Sequence, residues 1–154
     1  MEKLDPFPPA DPLAEALQFL RMNGAFYCRS ELTAPWGIEV PALPVARRSL
    51  YLKLRDRESY EFALASVAVA LRVDDGAVGE VRLALGGVAT KPWRARRAEQ
   101  LLVGEPATRE SFARAAREEL APAVPQGMNA FKVELAQRAV VRALETVATM
   151  GGAA

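Results

Sequence analysis

The chain has 154 residues, 51% of them hydrophobic, with 20 basic and 19 acidic side chains and a net charge of +1. A domain of this length buries roughly two thirds of its unfolded surface, and so balanced a charge offers no overall field to draw nucleic acid or anionic lipid. Cys28 is the one cysteine and histidine is absent, which excludes an intramolecular disulfide, removes the usual zinc and copper ligand sets and rules out nucleophiles activated by a histidine base.

A reducing cytoplasm fits this cysteine usage. The opening MEKLDPFPPADP has no apolar signal core, and no run reaches the roughly 18 apolar residues of a spanning helix, so a soluble cytoplasmic protein without membrane contact is expected. Composition shifts along the chain. Residues 1–46 hold seven of the eleven prolines and carry three basic and six acidic residues, whereas residues 47–154 carry seventeen and thirteen. The proline-rich VPALPV marks a seam near Ala46, dividing a segment 1–46 from a domain 47–154.

In the first segment, Asp11 is placed to cap a helix with Pro12 at its first position, and Leu13, Ala16, Leu17 and Leu20 follow at helical spacing until Asn23 and Gly24. Phe26, Cys28, Ser30 and Leu32 then alternate with polar neighbours as in a strand, and residues 37–40 form a second short extended piece after Trp36. Past the seam, YLKLRDRESYEFA (51–63) crowds charge around two tyrosines. It reads either as a charged turn leading into a strand or as a docking surface for an anionic or aromatic ligand.

Residues 62–73 and 77–88 read as two strands around Asp75 and Gly76, a pair that tolerates positive φ and suits a tight hairpin. Val67, Val69, Leu71 and Val73 share one face, with alanines opposite. Three helices are expected next: 92–102, closed by Gly104; 109–121, capped by Thr108 and stopped by Pro122; and 128–149. Phe112, Ala116 and Leu120 line the second, and Val133, Ala136, Val140, Leu144 and Val147 the third. The fold class is therefore α+β: an antiparallel sheet with helices packed on one face, preceded by a short helix and strand segment.

The search for chemistry is mostly negative. There is no GxGxxG or GxxxxGK[ST] phosphate loop, and Gly86 with Gly87 reads as backbone geometry at a strand end. Cys28 reads as a small buried strand residue rather than a reactive thiol. Glu118 and Glu119 beside Arg114 and Arg117 read as a solvated charged helix face. Lys91, Arg94, Arg96 and Arg97 form a basic cluster that reads as a solvent face at a helix start, since no aromatic platform accompanies it. Trp36 and Trp93 read as packing anchors. No catalytic residue and no metal ligand set stands out, and no enzyme activity is expected of the chain.

Three blocks, YLKLRDRESYEFALASVAVALRVDDG, VRLALGGVATKPWRARRAEQLLVG and GMNAFKVELAQRAVVRAL, make residues 47–149 resemble the C-terminal domain of the FAD-binding subunit of the xanthine dehydrogenase and carbon monoxide dehydrogenase family of molybdenum hydroxylases. The resemblance implies an antiparallel sheet with helices on one side, closing over a flavin ring held mainly by two preceding domains. It also implies that Lys53 and Tyr60 fall where that family places a lysine and a ring-contacting tyrosine. Residues 5–44, above all FYCRSELTAPWGIEVP, resemble the start of the cupin-type ligand-sensing domain of AraC-like regulators, truncated and without the helix-turn-helix pair, so DNA binding does not carry over.

Two functions follow as expectations. One is a noncatalytic accessory domain that binds no cofactor tightly and FAD at most weakly, through Lys53 and Tyr60. The other is an interaction module, free of cofactor, that binds a protein partner or itself through strand edges and apolar surface.

Overall fold

The computed structural model describes residues 43–57 and 60–150. A 3-10 turn, Pro44–Arg47, leads into the strands β1 Ser49–Leu54, β2 Ala65–Asp74, β3 Ala77–Gly86 and β4 Trp93–Arg94, and then the helices α1 Arg96–Leu102, α2 Arg109–Leu120 and α3 Phe131–Thr149. The strands form one antiparallel sheet in the order β1-β2-β3-β4. The expected α+β architecture is thus the observed one. The readings made on residues 1–42, including the first helix, Cys28, Trp36 and almost all of the cupin-like stretch, lie outside the described residues.

The hairpin at the centre of the sheet forms where its turn residues dictate. Asp75 (φ 49°) and Gly76 (φ 81°) both occupy the left-handed region, the combination that matches the right-handed twist of flanking strands. Strand alternation then sorts the side chains. Val67, Val69 and Leu71 of β2 and Val81, Leu83 and Leu85 of β3 are buried in one core with Leu102, Phe112, Val140 and Leu144 from the helices. Burial of each such Leu or Phe contributes roughly 1.5–3 kcal/mol. Leu50, Leu52 and Leu54 of β1 pack at its margin.

Helix α3 lies against β2 and β1, α1 lies against β3, and α2 packs between α1 and α3. Thr108 starts α2 as expected, its Oγ1 accepting the Ser111 amide at 3.4 Å. The opposite sheet face carries Tyr51, Lys53, Ser66, Ala68, Ala84 and Gly86, as the pairings Tyr51↔Ala68↔Ala84 and Lys53↔Ser66↔Gly86 require.

Several boundaries differ from the periodicity: β2 starts at Ala65 rather than 62, β3 ends at Gly86 rather than 88, and α3 starts at Phe131 rather than 128. β1 occupies the start of the charged stretch, which alternates Leu50, Leu52 and Leu54 with Ser49, Tyr51 and Lys53 and pairs with β2 along its length. The helix expected from residue 92 begins only at Arg96, because Trp93 and Arg94 are taken by β4 against Leu85 and Ala84.

Candidate functional site

Strand register gathers three connections at one end of the sheet. Leu54 faces Ala65 and Ser66 faces Gly86, so the β1–β2 connection and the β3–β4 connection leave the sheet side by side. Gly87, at φ 74°, sits so close to the first of these that a Cβ would lie 3.0 Å from the Leu64 carbonyl oxygen and 3.1 Å from that of Ala63. That contact is why glycine occupies the position. The α2–α3 connection joins them where Lys132 Nζ donates to the Gly87 carbonyl at 3.3 Å.

Of the ten large hydrophobic side chains exposed among the described residues, six lie at this end: Tyr60, Phe62, Trp93, Val124, Met128 and Phe131. Between the second and third connections opens a cleft of about 610 Å³, walled by Trp93, Leu120, Val124 and Val133, with Asn129 and Lys132 at its polar margin. Such a concentration of apolar surface exceeds the scatter of single exposed hydrophobic residues on an ordinary surface.

Both residues singled out from the sequence belong to this end. Lys53 is exposed on the open face of β1, paired across to Ser66. Tyr60 is fully exposed, with φ 51°, a left-handed conformation uncommon for a bulky residue. The stretch that holds them is a strand to Leu54 and then a bend at 56–57, where the Arg57 amide donates to Glu61 at 2.7 Å.

Two glutamates are buried among the described residues, and one of them, Glu119, lines the cleft. Glu119, read as part of a solvated face, is only 7% exposed. Its Oε1 accepts from Trp93 Nε1 at 2.8 Å and its Oε2 from the Ala98 amide at 2.8 Å. Ala98 is the third residue of α1, whose N-cap Ala95 offers no side-chain cap, so the carboxylate of α2 caps α1 from outside. Burial here is the consequence of two donors that need an acceptor.

Glu99 is also buried; it accepts the Leu83 amide at 2.8 Å and pairs with Arg94, Nη2 to Oε2 at 3.1 Å. The basic cluster is therefore not one solvent face. Arg94 is drawn inside with Glu99, and Arg97 reaches Glu118 at 2.6 Å. Of the expected charged face, Glu118 and Arg114 remain partly solvated, Arg114 bonding Glu105 at 2.6 Å. A carboxylate on an otherwise apolar helical stripe, as Glu119 is beside Ala116 and Leu120, was the available sequence signal. Its partner Trp93 lies 26 residues away.

With both oxygens of Glu119 occupied by donors, that carboxylate acts as a structural acceptor. Among the described residues, no group of three or more His, Cys, Asp or Glu side chains is arranged to hold a metal ion, and no helix is long and apolar enough to cross a membrane.

Comparison with known proteins places this geometry. Residues 50–147 match the family model described as the CO dehydrogenase flavoprotein C-terminal domain. The aldehyde oxidoreductase FAD-binding subunit PaoB of Escherichia coli is 41% identical over 102 residues, 66% of this chain and 29% of PaoB. The glyceraldehyde dehydrogenase medium chain of Sulfolobus acidocaldarius is 38% identical over 68 residues, 44% of this chain and 24% of its own length. Among solved structures, carbon monoxide dehydrogenase from Hydrogenophaga pseudoflava superposes with a TM-score of 0.63 at 33% identity, over 71% of this chain and 39% of that one. Quinoline 2-oxidoreductase from Pseudomonas putida 86 does so with a TM-score of 0.63 at 26% identity, over 73% and 39%. The chain thus spans about a quarter to two fifths of the relatives it matches.

Proposed function

Because this chain belongs to the CO dehydrogenase flavoprotein C-terminal domain family, we propose that it is a noncatalytic accessory domain whose loop-bearing end covers the ring of a flavin, with Lys53 and Tyr60 on the cofactor side. The observation that carries the reading is the exposed apolar end of the sheet, where Tyr60 presents its whole ring. PaoB is named as an FAD-binding subunit, which supports a flavin as the group covered.

The residues fit part of that cofactor. An exposed phenol ring suits stacking on a flat conjugated system, and a lysine on the adjoining strand suits a polar ring edge. The diphosphate is another matter, since the sequence has no glycine-rich phosphate loop. A flavin supplies one- or two-electron transfer when bound; the part of this chain is to cover its ring and exclude water.

Affinity of the isolated chain should accordingly be in the high micromolar range or weaker, on the order of 5 kcal/mol. Titration with FAD should quench flavin fluorescence, and Tyr60→Ala should abolish the quenching while Arg97→Ala leaves it intact. Tight binding would contradict a ring-only contact. A second reading, a cofactor-free module that docks a protein, is favoured by the same cluster of Phe62, Val124, Met128 and Phe131. It takes over if quenching does not saturate at millimolar flavin. On either reading the seam at Ala46 divides the chain into a cupin-like piece, 1–46, and an independently folding domain, 47–154.

A further inference from the structure

The cleft between the β3–β4 and α2–α3 connections is lined by described residues, and neither Lys53 nor Tyr60 is among them. Its walls are chiefly hydrocarbon: Val88 from the first connection, Leu120 at the end of α2, Val124 from the second connection, and Val133 on α3. Trp93 adds an indole ring. A volume of about 610 Å³ lies within the range of small-molecule sites.

Polar groups decide which small molecule fits. Two ionisable side chains line the cleft, Glu119 and Lys132. Glu119 is buried, with its oxygens taken by Trp93 Nε1 and the Ala98 amide. Lys132 is half-buried; its Nζ donates to the Gly87 carbonyl at 3.3 Å and forms no ion pair among the described residues. An ammonium has three protons to donate, so two remain. Beside it, Asn129 Oδ1 accepts the Gln126 amide at 2.7 Å, which leaves the Nδ2 group to donate elsewhere. The Lys132 amide bonds the Asn129 carbonyl at 3.0 Å, so a single turn carries both side chains to the cleft margin. The charge left free there is positive, with an amide donor next to it.

We propose that the cleft binds an apolar monocarboxylate, its hydrocarbon body against Leu120, Val124 and Val133 and its carboxylate on Lys132 Nζ and Asn129 Nδ2. A carboxylate offers two acceptor oxygens, which matches two donors on one turn. A cationic ligand would meet an unpaired ammonium and find the wall's one carboxylate already engaged. An uncharged apolar ligand would leave both donors without an acceptor. The site is separate from the flavin contact proposed above.

Octanoate and its neutral counterpart octanol test this on the full chain carrying Trp36→Phe, in which Trp93 is the single tryptophan. Because Trp93 lines the cleft, its emission reports occupancy. Octanoate should saturate and bind about tenfold tighter than octanol, the difference that one charge-assisted hydrogen bond makes. Added salt should narrow that gap. Lys132→Met keeps an apolar stem and removes the charge, so the two affinities should become equal. Octanol binding as tightly as octanoate would overturn the proposal in favour of an apolar slot for a partner's side chain. Octanoate binding indifferent to Lys132→Met, or no saturable binding, would overturn it too. Should Lys132→Met fail to fold, the comparison of the two ligands at an intact Lys132 still decides. No flavin enters these measurements, so their failure leaves the reading of Lys53 and Tyr60 untouched.

Discussion

The carboxylate of Glu99, on α1, accepts the backbone amide of Leu83 at 2.8 Å, so a helix side chain completes a hydrogen bond that β4 is too short to make. The same carboxylate holds Arg94, itself one of the two residues of β4. One acidic group thereby fixes β3, β4 and α1 together.

Glu99→Ala should leave the Leu83 amide buried without its acceptor and cost about 2–4 kcal/mol. In a domain of this size that lowers Tm by roughly 8–20 °C, measured by calorimetry. A loss below about 0.5 kcal/mol would show that water replaces the carboxylate freely.

Glu119 and Trp93 form a second such pair, 2.8 Å apart. Trp93→Phe should cost about 1 kcal/mol, because Glu119 keeps the Ala98 amide as donor. Glu119→Ala should cost more, about 2–3 kcal/mol, since the α1 cap goes as well. In a Trp36→Phe background, Glu119→Ala should also shift the emission of Trp93, which makes fluorescence the check on the pairing itself.

Glycine substitutions separate two causes. Gly76 has φ 81° and open space around its missing Cβ, while Gly87 has φ 74° and two carbonyl oxygens at 3.0 and 3.1 Å. Gly76→Ala should cost about 1 kcal/mol from φ alone, and Gly87→Ala about 2–3 kcal/mol because the Ala63–Leu64 backbone must move too. Urea denaturation of both variants tests the order; equal losses would mean that the connections do not touch as described.

These contacts show where sequence reading reaches and where it stops. The Asp75–Gly76 turn, the Val67–Val69–Leu71 face and the stripes of α2 and α3 were legible because each is decided by residues within one or two turns or one strand of each other. β1 was hidden by the charges that follow it, and β4 by the helical pattern it precedes. Glu99 and Glu119 were out of reach for a different reason: their burial depends on donors on other elements, Leu83 and Trp93, that no local period encodes. Of the candidate site, Lys53 and Tyr60 were named through family resemblance, whereas the cleft beside Trp93 and Lys132 emerges only when three connections meet.

Surface ion pairs should matter little. Arg109 and Glu145 are 3.0 Å apart, with side chains 70% and 36% exposed. Solvent screening of so open a pair leaves Arg109→Ala within about 0.5 kcal/mol of the wild type in thermal unfolding. A larger loss would reveal a role for Arg109 beyond this pair.

Whether the loop-bearing end faces a flavin is read from the amide chemical shifts of the full chain during titration with FAD. Saturable changes are expected, confined to Lys53, the segment around Tyr60 and the connection at Gly87, and absent in Tyr60→Ala, with the Asp75–Gly76 end silent. Changes centred on the Asp75–Gly76 end, or none at millimolar FAD, would contradict it.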